Sequence, residues 1–131
     1  MPPKIHKMDV FEYTVIRFVP RVERGESINI GVVLYCRAQR FLEVRFLADF
    51  GRAALLFPDV DTEDVQRHAA AFQRIVEGIP AGGPIAQLEP AERFRWLTAQ
   101  RSTDIQPSPV HPGMTANAAD TLDKLYDKLV K

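Results

Sequence analysis

One cysteine, Cys36, stands among 131 residues. A single thiol excludes an internal disulfide and a zinc site built from cysteines. Its place among alternating apolar residues reads as a buried, inert thiol. Long apolar runs are also missing. Nothing approaches the ~20 residues needed to span a bilayer, and the opening Met1-Pro-Pro-Lys-Ile-His does not begin a signal peptide. Charge of one sign is missing too, with 17 Lys and Arg against 17 Asp and Glu. That neutrality counts against a non-specific nucleic-acid or polyanion binder. The familiar catalytic motifs are absent: no phosphate-binding Walker loop, no Gly-x-Gly-x-x-Gly, no His-Glu-x-x-His and no Gly-x-Ser-x-Gly. The three histidines, His6, His68 and His111, are far apart and lack metal-ligand spacing. The expectation is one soluble, cytoplasmic domain over residues 1–131, with residues 1–8 as a flexible tail and with no cofactor, metal or catalytic set.

Hydrophobic residues make up 46% and charged residues 26%, ordinary globular usage that argues against disorder. The zero charge conceals an asymmetry. Residues 1–52 hold nine basic and six acidic side chains, a balance of +3; residues 53–131 hold eight and eleven, a balance of −3. The same break separates period-two alternation from helical spacing. Strands come first and helices later, which is an α+β pattern.

Residues 10–19 form the first expected strand, with apolar groups on both faces and Pro20 closing it. Residues 28–37 form the second. Strict alternation there puts Ile28, Ile30, Val32, Leu34 and Cys36 in one row, and Asn29, Gly31, Val33 and Tyr35 in the other. Arg37-Ala-Gln-Arg40 turns the chain into a third strand over residues 41–47. Three antiparallel strands on short connections make a meander. Asp61 or Thr62 caps a helix over residues 62–77 with Val65, Ala69, Phe72 and Val76 as its buried stripe. Ile85 to Leu88 is expected to be briefly extended. Pro90 opens a second helix to about Gln100, with Phe94 and Leu97 or Trp96 inward. Pro107, Pro109 and Pro112 make residues 104–113 an extended connection that is no central strand. A last helix covers residues 117–130. The expected architecture is a three- to four-stranded, mostly antiparallel sheet with about three helices packed on it.

Two segments carry candidate chemistry. In the first, Arg17 occupies a strand position where an aliphatic residue is expected. A guanidinium desolvated there needs a carboxylate, carbonyls or a bound anion. Glu26 and Asn29 are its nearest partners across the hairpin, and a structural Arg17–Glu26 pair accounts for them as well as a site does. Gly25 marks a turn. Gly31 inside a strand marks a bulge or a close approach by backbone or ligand. In the second segment, Arg101, Ser102 and His111 sit on proline-stiffened loops closed by Gly113. They match oxyanion geometry, and equally ordinary cap and turn chemistry. Only convergence of the two segments makes a ligand site, of which a small anion would be the occupant.

Phe11-Glu-Tyr-Thr-Val-Ile-Arg-Phe-Val-Pro20, Arg24-Gly-Glu-Ser-Ile-Asn-Ile-Gly-Val-Val-Leu34, and Phe94-Arg-Trp-Leu-Thr-Ala-Gln-Arg-Ser-Thr103 with Val110-His-Pro-Gly113 resemble the bacterial domain of unknown function 3037 family. The blocks keep order and spacing from about residue 9 to residue 130. Arg17, Gly25, Glu26, Asn29, Gly31, Arg101, Ser102, His111 and Gly113 match its pattern. The resemblance implies a small stand-alone bacterial protein with an accessory role, a HipA-like kinase being the implied partner. The leading expectation is a non-enzymatic binding module acting as a homo-oligomer or with a protein partner. The rival is an enzyme or sensor for a phosphate-bearing small molecule or nucleotide, with Arg17 and Arg101 holding the anion, Glu26 as base or as ligand of a divalent metal, and Ser102 and His111 orienting the substrate. Nucleic-acid binding ranks last, because Glu12, Glu23, Glu26 and Glu43 interrupt the arginines.

Overall fold

A computed structural model describes residues 7–20, 22–99 and 105–131. Most of the expected N-terminal tail, together with Arg101 and Ser102, lies outside the described residues. The chain folds as an α+β protein around a five-stranded antiparallel sheet. Strands β1 (Asp9–Phe18), β2 (Ile28–Cys36) and β3 (Phe41–Phe46) form the meander. Helices α1 (Gly51–Leu56), α2 (Thr62–Glu77) and α3 (Pro90–Thr98) follow, then β4 (Ile105–Pro107), β5 (His111–Thr115) and α4 (Ala118–Leu129). The lateral order is β3-β2-β1-β4, with β5 also on β1. None of the described helices is long and apolar enough to cross a membrane.

Both sheet faces are covered. Ile16 and Phe18 of β1, Ile28, Ile30 and Val33 of β2, and Val44 of β3 pack with Val65, Ala69, Ile75 and Val76 of α2 and Phe94 and Leu97 of α3. On the other face Phe11 of β1 and Val32, Leu34 and Cys36 of β2 pack with Ala118, Leu122 and Val130 of the α4 segment. Burial on this scale stabilises by about 1.5–3 kcal/mol per large aliphatic side chain. Local signals start and stop the helices. Asp61 Oδ1 accepts the Glu63 N–H at 3.0 Å and Asn117 Oδ1 accepts the Asp120 N–H at 3.1 Å, so both long helices are capped by side chains.

The two faces correct the expected alternation in β2. Ile28 and Ile30 join Val33 toward α2, whereas Val32, Leu34 and Cys36 face α4. The register supplies the reason. Ile16 pairs with Gly31 but Arg17 pairs with Asn29, leaving Ile30 as an extra residue on β2. A bulge of this kind reverses side-chain parity beyond it. The apolar row therefore changes face between Ile30 and Val32.

Other elements differ from expectation for equally local reasons. Helix α1 is only six residues long, too short to display helical periodicity. The stretch from Ile85 to Leu88, expected as extended, lies mostly within a 3-10 turn, Pro84–Gln87, that buries Ala86. Leu97 rather than Trp96 turns inward from α3. The proline-rich segment is neither loop nor central strand: β4 and β5 form one broken edge strand along β1, Pro107 opposite Ile16 and Pro112 opposite Glu12. Proline is tolerated there because an edge strand needs only half its ladder groups.

Ser108 repairs the break between β4 and β5. Its N–H donates to Val15 O at 2.8 Å, and its Oγ accepts the Val15 N–H at 2.9 Å in place of a backbone carbonyl. The buried Thr14 hydroxyl binds both Ser108 O and Ser108 Oγ. Ser108→Ala removes the acceptor and strands a buried peptide N–H, which costs roughly 1–3 kcal/mol. The expected result is a lower denaturant midpoint at unchanged m-value; a midpoint equal to that of the parent protein contradicts this account.

Candidate functional site

The sheet has two lateral edges of opposite character. One is the β4–β5 strand, where Pro107, Pro109 and Pro112 lack the N–H that a further strand would require. The other is β3, Phe41-Leu-Glu-Val-Arg-Phe46, which carries no proline. Its ladder phase follows from the Leu47 N–H donating to Ile30 O at 2.9 Å. Pairs alternate along an antiparallel ladder, so Phe41, Glu43 and Arg45 turn their peptide groups toward β2. Leu42, Val44 and Phe46 consequently direct theirs outward, to a side where β3 has no neighbouring strand among the described residues.

The hairpin entering β3 is held firmly. Arg40, at φ 51°, closes the four-residue loop, whose Arg40 N–H donates to Arg37 O at 3.1 Å. Gln39 ties that loop to the rest of the fold. Its Oε1 accepts the Ala118 N–H at the start of α4 at 2.8 Å, and its Nε2 donates to Asp9 Oδ2 at 3.0 Å. On the α4 side of the sheet, Arg45 meets Asp123 of α4 at 2.8 Å. On the other side, a groove of about 500 Å³ runs beside the edge, lined by Leu42 and Val44 of β3, Gln73 and Glu77 of α2, and Arg93 of α3. The edge is thus firmly positioned and flanked by open space on one face. Nothing in residue type alone marked it, since an edge is a property of topology.

Among the described residues expected to form a composite site, Arg17 and Asn29 are cross-strand neighbours, whereas Glu26 and His111 have other partners. Arg17 lies opposite Asn29 on one side and Gln106 on the other. Its guanidinium donates to Pro107 O at 3.1 Å, and its Nε is buried without a hydrogen-bond partner among the described residues. Asn29 donates to Leu129 O at 2.9 Å, capping the carbonyl end of α4. Glu26 is held by Arg24 at 2.6 Å, not by Arg17. That pair borders a different cavity of about 280 Å³ against Leu56, Phe57 and Pro58. His111 pairs with Tyr13, their rings 5.3 Å apart. Tyr13 and Arg17 are four residues apart on β1, which is about 13 Å at strand rise. Arg17, Glu26 and His111 therefore share no common ligand shell.

Two of the glycines that match the family pattern, Gly31 and Gly113, occupy close quarters. A Cβ on Gly31 would stand 2.7 Å from Phe46 Cδ1, and one on Gly113 would stand 2.5 Å from Phe11 Cζ. Gly25 turns at φ 70° between Arg24 and Glu26. Arg17 itself makes one carbonyl contact and leaves one nitrogen unsatisfied. Losing a hydrogen bond and relieving a desolvated N–H oppose each other. Arg17→Met is accordingly expected to keep the fold and to move unfolding free energy by less than about 1 kcal/mol. A loss several times larger in a urea titration would make Arg17 a brace.

Among the described residues no group of three or more His, Cys, Asp or Glu side chains is placed to hold a metal ion. Cys36 is a buried free thiol. The sequence pattern of the family described as Protein of unknown function (DUF3037) matches residues 13–130. No curated protein and no solved structure matches the chain.

Proposed function

The chain belongs to the DUF3037 family, whose description carries no activity to transfer, and on the chain's own geometry we propose that it is a non-enzymatic binding module that engages protein by backbone pairing at the β3 edge. One observation supports this reading above the rest. The two edges of a single sheet are treated differently, one interrupted by three prolines and the other left regular, with the outward peptide groups of Leu42, Val44 and Phe46 unmatched by any strand among the described residues. Exposed regular edges invite a further strand, with main-chain hydrogen bonds supplying affinity and alternate side chains supplying selectivity. A bacterial, cytoplasmic setting belongs to the same reading.

Leu42→Pro tests it. The substitution removes an N–H aimed at a partner and leaves the ladder to β2 intact. Association measured on the purified protein is expected to be lost while circular dichroism stays that of the parent. Equal association by the folded proline variant overturns the reading.

A further inference from the structure

We infer that the strand which pairs with the β3 edge is β3 of a second copy of this chain, antiparallel and centred on Val44. This rests on the edge-binding reading and adds the identity and register of its partner. The argument begins with the six residues of β3. Under a two-fold axis perpendicular to the sheet, Val44 faces the partner's Val44, Leu42 faces the partner's Phe46, and Glu43 faces the partner's Arg45. The outward peptide groups belong to residues 42, 44 and 46, so Val44–Val44 and both Leu42–Phe46 pairs become hydrogen-bonded pairs. No peptide group in the strand is left facing a mismatched neighbour.

The side chains agree with that register on both faces. Leu42, Val44 and Phe46 lie toward the α2 core, Val44 buried and the other two partly so. Pairing them across the axis prolongs an apolar face that already exists. Glu43 and Arg45 lie on the other face, both exposed. The axis makes them two reciprocal opposite-charge pairs at non-hydrogen-bonded positions, where Cβ atoms sit about 4.5–5.5 Å apart. A strand bearing two like charges would repel its own copy; this one bears one of each sign, symmetric about its centre. An edge used only by a foreign strand has no reason to be complementary to itself.

The groove of about 500 Å³ between the edge and α2 gives the incoming strand room on that face. The contact is short, below the ~1,200 Å² of stable interfaces, so a dissociation constant of micromolar order is expected.

The test uses the full chain and sedimentation velocity from roughly 1 μM to 1 mM, bracketing that constant. The wild-type chain should pass from monomer to dimer within this range. Glu43→Arg places two arginine pairs across the axis, and Arg45→Glu places two glutamate pairs there. Each variant alone should dimerise about 10- to 100-fold more weakly. An equimolar mixture of the two regains both attractive pairs and should form the heterodimer at wild-type strength. That rescue cannot come from a damaged fold or from the lost Arg45–Asp123 contact, because each chain in the mixture carries the same defect as it does alone. A wild-type chain that stays monomeric to ~1 mM overturns the inference, as do single variants that dimerise normally or a mixture that fails to rescue. If Leu42→Pro abolishes association while the charge variants behave as wild type, the Val44 register falls and edge binding stands. If Leu42→Pro also changes nothing, both fall.

Discussion

Ile30→Ala is expected to lower the unfolding free energy by about 2–5 kcal/mol. Ile30 is fully buried in the α2 core, and truncation leaves every other side chain on its own face. Deleting Ile30 altogether should cost roughly the same and keep unfolding cooperative. The reason is parity. Ile30 is the extra residue of the bulge, so its removal restores regular alternation through Ile28, Asn29, Gly31 and Val32. Asn29 stays opposite Arg17, where it caps Leu129 O, and Ile28 stays opposite Phe18 in the α2 core. Thermal and urea unfolding followed by circular dichroism compare the two variants. A deletion variant that no longer unfolds cooperatively would show that the bulge itself, and not only the side chain it adds to the α2 core, holds the sheet together.

That bulge also marks where sequence patterning stopped being informative. Period-two alternation placed β1, β2 and β3 within a residue or two of their ends, because each strand alternates and each connection is short. The α2 stripe, the cap at Asp61 and the start of α4 were legible for the same reason: the side chains that do the work lie in local, periodic positions. The bulge was not, because β2 is apolar on both faces and either parity reads as a plausible row. The β4–β5 strand was hidden by its prolines, which suit a loop as well as an edge. Arg17 was recognisable as a group needing a partner. Yet its partner is the carbonyl of Pro107, ninety residues away, and no side-chain pattern announces a carbonyl. Gln39 carries no sequence signal beyond its place in a turn, although it joins the β2–β3 loop to both Asp9 and α4. What the alternation could not express was lateral order, and lateral order is what leaves β3 open.

The other large effect is expected at the opposite edge, from Gly113 and Phe11 taken together. They are direct partners across β1 and β5, and the Phe11 ring lies over the glycine, with Cζ and Cε1 at 2.5 and 2.6 Å from where a Cβ would stand. Phe11 is buried against α4. An aromatic ring covering a cross-strand glycine fills the gap that the missing side chain leaves in an edge strand. Gly113→Ala forces the ring off its position and should cost about 1–3 kcal/mol as overpacking. Phe11→Ala empties the site and should cost about 3–5 kcal/mol. In the Phe11→Ala background the alanine at position 113 meets open space, so its own cost should vanish or reverse sign. The double variant is then more stable than the sum of the singles by about 1–3 kcal/mol, a coupling well above the few tenths seen between independent sites. Strictly additive losses in urea titrations of the four proteins would place the constraint on Gly113 in its backbone and not in the ring. A coupling of the expected size assigns this edge a structural duty, closure of the α4 core, which is consistent with the prolines that keep a further strand away from it.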